Sequence, residues 1–267
     1  MSDSKATNVK IPAVILAGGT VDPEMQKEYD IEYRAELPFA GKLMIIHIVD
    51  ALAGASSVST IRVVGETLCD CITETIPPNE GMLENVIAGV KACAADSPDG
   101  RVLIATSDIP FLTSEAVDDF ITRCAGIDAD LYYPYILKED NDRRFPGVKR
   151  TYVKLAEGVV TGGNIVMMNA DFIDKNADLL REVMNARKSI SKMAKVIGIG
   201  TLLRMIVAQT IWRGALNLSQ IEKAAGRAMN ARLKAIRSPY PEIGADIDRL
   251  DQLEEMETLF ESEGESK

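Results

Sequence analysis

The run Pro12-Ala-Val-Ile-Leu-Ala17 is apolar without a break and ends in Gly18-Gly19, the pattern of a strand covered on both faces that feeds a glycine turn. Lys42–Ala53 places apolar residues at helical spacing, and Val58–Val64 returns to a β-branched run. Gly81–Ala95 reads as a second helix, Arg101–Thr106 as another buried strand, Thr113–Ala125 as a helix opened by capping oxygens, and Ala129–Leu137 as a further strand. This alternation predicts right-handed crossovers and a three-layer α/β/α sandwich on a mainly parallel sheet, with ligands at the carboxyl ends of the strands. The charged stretch Lys138–Val148 contains Pro146-Gly147 and predicts a surface loop. Beyond it the pattern changes. Strands are expected at Lys149–Leu155 and Gly163–Met168, a helix at Ala170–Arg187, further helices to Met229, a strand at Ala231–Ile236, and an acidic helix at Asp248–Glu261. The organisation expected is a flexible tail over 1–10 and one α/β domain over 11–262. Its halves are 11–148 and 149–262, the second carrying a helical insert at 192–229.

Hydrophobic residues make up 46% of the 267, which supports a full core and excludes disorder and collagen-like repeats. Thirty basic against forty acidic residues leave a net charge of −10, so a phosphate backbone is a poor partner and nucleic acid is not expected. Cys69-Asp-Cys71 is spaced too closely for a zinc knuckle, and Cys93 and Cys124 read as buried thiols of a reducing compartment. The first ten residues are polar and lack the apolar core of a signal peptide, which points to the cytoplasm. Val196–Trp212 approaches the length of a membrane span, but Arg204 sits at its centre and Gly198 and Gly200 break its start. A buried helix near Thr201–Arg213 is expected, with peripheral contact to lipid as the alternative. The single imidazole, His47, lies beside Ile46 and Val49 on a helix face and reads as a packing residue.

Three places carry chemistry. Leu16-Ala17-Gly18-Gly19-Thr20 lets a phosphate or base approach backbone N–H groups without meeting a Cβ, although a tight strand-to-loop turn explains it equally. Asp108 follows the apolar strand Arg101–Thr106, a position that suits a metal ligand; the competing role is to cap the helix near Thr113. A divalent ion such as Mg²⁺ takes one or two carboxylates and completes its shell with water and substrate phosphates. Asp246 and Asp248 supply a helper, sharing a face if the segment is extended, while Asp248 also fits an N-cap.

Four motifs in this order resemble the nucleotidyltransferase family related to molybdenum cofactor guanylyltransferase, with the MobA-like NTP transferase domain. More distantly they resemble methylerythritol-phosphate cytidylyltransferase and N-acetylglucosamine-phosphate uridylyltransferase. The motifs are Leu16-Ala17-Gly18-Gly19, Leu37-Pro38-Phe39-Ala40-Gly41-Lys42, Thr106-Ser107-Asp108-Ile109-Pro110-Phe111-Leu112, and Asp246-Ile247-Asp248. The resemblance implies the nucleotide-diphospho-sugar transferase (GT-A-like) fold, with 11–148 as the nucleotide-binding half and 149–262 as the acceptor side. It further implies a nucleoside triphosphate over Leu16–Thr20, Mg²⁺ (or Mn²⁺) on Asp108 and Asp246, and transfer of a nucleoside monophosphate to a small acceptor with release of pyrophosphate. Gly81 and Asn85 match a helix start that approaches the base, and Gly163-Asn164 an acceptor-side segment. The family's basic residue after the glycine loop, and the Pro-Lys that follows it, have no direct counterpart in Thr20–Asp30, where Asp22, Glu24 and Glu28 stand with Lys27. Arg34 occupies the place of the Pro-Lys lysine, so Arg34 and Lys42 join Asp108 and Asp246 as expected catalytic groups. Arg143, Arg144, Lys149 and Arg150 form a basic patch, either for an anionic acceptor or as a solvated loop. Two alternatives share these motifs: a glycosyltransferase that holds a sugar nucleotide's metal, and a non-catalytic nucleotide-binding protein. The insert at 192–229 is expected to shape a pocket for a bulky or lipid-like acceptor or to form a homodimer contact.

Overall fold

A computed structural model describes residues 9–65, 72–186 and 199–264. Cys69, Cys71, most of the expected tail and the first part of the expected insert lie outside them. The central strand β1 (Ile11–Leu16) is buried along its whole length, because it runs parallel between β4 (Val58–Val64) and β6 (Arg101–Thr106) with helices on both faces. Its side chains alternate. Ile11, Ala13 and Ile15 enter one core with α2 (Met44–Gly54) and α4 (Ser114–Cys124), while Val14 and Leu16 enter another with α3 (Met82–Ala94) and α6 (Ala170–Ala186). The result is the three-layer α/β/α sandwich. With β7 at Leu131–Leu137, β9 at Gly158–Gly162 and β10 at Ile165–Asn169, the strand order is β5-β4-β1-β6-β10-β7-β9-β8, and β11 (Leu233–Arg237) pairs with β7. Here β5 is Glu74–Ile76 and β8 is Val153–Leu155.

The sheet is not parallel throughout. β10 (Ile165–Asn169) is inserted antiparallel between β6 and β7, with Ile165 opposite Ala105 and Met167 opposite both Leu103 and Tyr132. β9 (Gly158–Gly162) leads into it past a bend at Gly163, where a Cβ would stand 3.0 Å from Pro134 Cγ and 3.1 Å from the Ile243 carbonyl. This switch at the end of β6 opens the crevice in which the candidate site lies.

Several local expectations change. Lys138–Val148 is not all loop: α5 (Lys138–Arg144) forms because its acids start the helix, its arginines end it, and Lys138 pairs with Asp142 one turn on. The segment after the glycine turn holds α1 (Pro23–Tyr29), whose first turn is capped by Asp22 accepting from the Met25 N–H at 2.8 Å. The helix expected from Lys42 begins at Met44, since β3 (Lys42–Leu43) pairs with β2 (Pro38–Phe39) across a turn with positive φ at Ala40 and Gly41. Only Val153–Leu155 of the expected Lys149–Leu155 is strand. In the insert, α7 (Ile199–Thr210) buries Ala208, but Leu203, Ile211 and Trp212 are 57%, 82% and 66% exposed, so the expected fully buried helix is only half covered. No helix among the described residues is long and apolar enough to cross a membrane. α8 (Leu218–Met229) follows, and α9 (Leu250–Gly264) closes the chain. Asp248 does not cap α9; Gln252 Oε1 instead accepts from the Asp248 and Arg249 N–H groups, which leaves the Asp248 carboxylate for other work.

Candidate active site

Asp108 follows β6 by two residues and is 8% exposed at the carboxyl edge of the sheet. Thr106 Oγ1 donates to its Oδ1 at 2.5 Å and Arg34 Nη1 to its Oδ2 at 2.6 Å. The same Nη1 reaches Asp248 Oδ1 at 2.6 Å. Arg34 is held from behind: its backbone N–H donates to the Gly19 carbonyl at 2.8 Å and its Nε to the Thr20 carbonyl at 3.1 Å. One guanidinium therefore ties the glycine turn to the strand-end acid and to the segment before α9. Asp108 is not the cap of α4, a role taken by Thr113 Oγ1 accepting from the Ala116 N–H.

Backbone pairing brings the distant acids in. The Ile247 N–H donates to the Asp108 carbonyl at 3.0 Å, and Ile247 itself is buried in the cluster of Phe39, Phe111 and Met256. Asp246 on its other side accepts from Arg150 Nη1 at 2.5 Å, and Arg150 Nη2 reaches the Gly162 carbonyl at 3.4 Å. Gly244 makes room for this crossing, since a Cβ there would meet Ile136 Cδ1 at 2.8 Å and the Gly162 carbonyl at 3.0 Å. Burial pushes the Asp246 carboxyl above its ordinary value; the Arg150 guanidinium pulls it down, and the charges of Asp108 and Asp248 push it further up. Asp246, Asp248, Lys149 and Arg150 line one polar cavity of about 430 Å³.

Each expected residue has a definite place. Leu16 and Ala17 are buried at the end of β1, so whatever they offer a ligand is backbone. Gly18 is required by a neighbour: a Cβ there would lie 2.8 Å from Asn85 Nδ2, and Asn85 Oδ1 accepts from the Asn79 N–H at 2.6 Å. At Gly19 and at Gly81, which opens α3 with φ +95°, a Cβ would meet nothing within 4 Å. The Asn164 N–H donates to the Ile243 carbonyl at 2.6 Å, and the Asn164 carbonyl accepts from the Thr106 N–H at 3.1 Å, so Gly163-Asn164 borders the Asp108 side of the crevice. Lys42 is not gathered with the acids; it pairs with Asp50 at 2.6 Å on the hairpin, both half exposed. The basic patch divides, Arg150 entering the cleft, Arg144 pairing with Glu242 and Arg143 with Asp140. Sequence reading missed Gly244 and the specific use of Arg150. A sign of both was present in the glycine two residues before Asp246 and in the only cluster of cations near the acceptor segment.

The carboxylates present hard oxygen donors. Among the described residues no group of three or more His, Cys, Asp or Glu is arranged to hold a metal ion unaided. Two acids without a full cage fit an ion that expects phosphate oxygens and water for its other positions, as Mg²⁺ does.

The structure of a hypothetical transferase from Thermus thermophilus is 33% identical, with a TM-score of 0.80 over 91% of this chain and 99% of that one. CMP:2-keto-3-deoxy-manno-octonic acid synthetase complexed with CTP shares the fold at 14% identity and a TM-score of 0.58, over 95% of this chain and 99% of that one. No curated protein matches the chain. The model of the MobA-like NTP transferase domain matches residues 13–227. With the glycine turn, Asp108 and the inserted antiparallel strand all inside that span, the chain belongs to the MobA-like NTP transferase domain family.

Proposed function

We propose that the protein is a Mg²⁺-dependent nucleotidyltransferase of the cytoplasm, which moves a nucleoside monophosphate from a nucleoside triphosphate to a phosphorylated or hydroxyl acceptor. The observation that carries the reading is Arg34, which joins the Gly19 and Thr20 carbonyls to Asp108 and Asp248. In this reading the triphosphate lies over Gly18-Gly19-Thr20, and the base approaches Gly81 and the Asn85 amide. The Gly163-Asn164 side receives the acceptor. Asp108 and Asp246 are the residues that would hold Mg²⁺, which neutralises phosphate charge and orients the triphosphate when bound.

The chain's own groups do the rest by positioning. Arg34 is tethered to the Gly19 and Thr20 carbonyls, so its planar fork is preset to meet phosphate oxygens beside Asp108 and Asp248. An acceptor phosphate oxygen forms the new bond to the α-phosphorus. The bond between the α-phosphorus and the bridging oxygen breaks, and pyrophosphate leaves with the electron pair. Arg150 stands where the acceptor's anionic group would arrive. These local cations answer the problem posed by a chain of net charge −10 that must gather an anionic nucleotide.

The test is pyrophosphate release from each common nucleoside triphosphate with Mg²⁺ and a panel of phosphorylated and hydroxyl metabolites. Release dependent on one nucleotide, one acceptor and Arg34 supports the reading. Tight binding of a nucleoside diphosphate sugar with no pyrophosphate chemistry would replace it with glycosyl transfer.

A further inference from the structure

A second cavity, of about 360 Å³, lies between the outer sheet and the insert helices. Tyr135, Val153 and Val160 wall it on the sheet side, and Met205 of α7 with Leu218 and Ile221 of α8 close the other. Leu155 and Val160 of its lining belong to a small cluster with Ala208 and Leu216, separate from the main cores. Thr151 and Thr161 line both this cavity and the polar one that holds Asp246 and Arg150, so the two spaces meet at that pair and change chemistry there. At the same junction the Tyr133 hydroxyl fills the space that a Cβ at Gly162 would need, and it feels the charges of Arg150 and Asp246. The cavity opens to the surface, and its size and lining match ligand pockets, which span about 300–1,000 Å³ and are mostly apolar with a few orienting polar groups.

We propose that this cavity is the acceptor's subsite, and that the acceptor is an amphiphilic phosphate monoester whose apolar substituent fills the space between β7, β8, β9, α7 and α8. The proposal rests on the nucleotidyl-transfer reading and adds to it the chemical class of the acceptor. Charge complementarity fixes the orientation. Lys149, Arg150 and Arg249 line the polar end with Asp246 and Asp248, three cations to two acids, and suit an anionic head; the apolar end has no charge to satisfy except Glu222 and Lys234, which pair with each other at its rim. A phosphate monoester needs no proton acceptor to attack the α-phosphorus, so the single imidazole, half-buried His47 in the first turn of α2, is no obstacle.

The experiment is calorimetric titration of the full chain, with Mg²⁺ and a non-hydrolysable nucleoside triphosphate, using methyl, butyl and hexyl phosphate and then phenyl phosphate. Affinity is expected to rise on the order of tenfold for every two methylenes buried, and the alkyl and aryl series separate a chain-like from a ring-like substituent. Ala225 of α8 also lines the cavity; Ala225→Phe, which fills it, and Leu218→Gln, which wets it, should each abolish the chain-length preference while methyl phosphate and nucleotide binding stay unchanged. Affinity independent of chain length, or a preference that survives both variants, overturns the proposal. Nucleotide binding is read in the same titrations: its absence with the chain-length preference intact overturns the transfer reading and not the ligand class of the cavity.

Discussion

Arg34 donates to Asp108 at 2.6 Å while its backbone N–H and Nε are fixed to the carbonyls of Gly19 and Thr20. The residue is thus a strut between the first strand's turn and the acid after β6, as well as a cation. Arg34→Lys keeps the charge but loses the fork that serves Thr20, Asp108 and Asp248 together. We expect kcat/KM for pyrophosphate release to fall about 10²–10³-fold in this variant, with the fold intact by circular dichroism. Arg34→Ala should also lower stability by about 1–3 kcal/mol, since Asp108 is left nearly buried without its cation.

Gly18 and Asn85 form a second pair whose coupling is measurable. A Cβ at 18 would meet Asn85 Nδ2 at 2.8 Å, so Gly18→Ala should displace the amide and weaken nucleotide binding on the order of tenfold. In an Asn85→Ala background the same substitution has space and should cost little more. A double-mutant cycle by fluorescence titration would show this non-additivity, and strict additivity would contradict the contact.

Away from the site, Asp118 tests the fold alone. It accepts from the Ser56 and Ser57 N–H groups and from the Ser56 hydroxyl, tying α4 to the turn before β4. Burial works to raise its pKa, but those hydrogen bonds outweigh burial and hold the carboxyl below the ordinary range. Asp118→Ala should destabilise by about 1–3 kcal/mol in urea melts, because the buried Ser57 loses its acceptor. Activity per folded molecule should not change.

His47 gives stability a pH dependence. Burial lowers its pKa below the ordinary 6.5, against the hydrogen bond its Nε2–H donates to the Phe39 carbonyl at 2.9 Å; Lys42 adds to the lowering and Asp50 opposes it. The unfolded chain therefore binds this proton more readily than the folded one. Stability from His47 is full above the ordinary imidazole value and is lost as pH falls from there through the lowered one. Urea midpoints at pH 7.5, 6.5 and 5.5 should decline, and His47→Gln should flatten the decline.

Much of this architecture is legible in the sequence, and the reasons are local. β1 and most of β6 are continuous apolar runs, and β4 is mostly β-branched, because both faces of their sheet are covered; Asp108 is visible because a carboxylate just after such a run has few other uses. α5 is hidden because its one buried residue is the polar Asn141 and ion pairs line its surface, so no apolar period marks it. Lys42 stands away from the acids and Arg150 beside one of them for a tertiary reason. The hairpin turn at Ala40-Gly41 carries Lys42 to Asp50, and the antiparallel β10 with the Gly244 crossing carries Arg150 to Asp246. Neither pairing is written in residue spacing, since each depends on chain segments about a hundred residues apart or on a turn's φ angles.

The central claim is that the Asp108 cluster works on the phosphates of a nucleoside triphosphate. The direct measurement is binding of each nucleoside triphosphate with and without Mg²⁺ by calorimetry, in the wild-type protein and in Asp108→Asn. The claim predicts Mg²⁺-dependent binding of one nucleotide in the wild type, weakened at least tenfold by Asp108→Asn with the fold retained by circular dichroism. Mg²⁺-independent binding, or equal affinity in the two proteins, would contradict it.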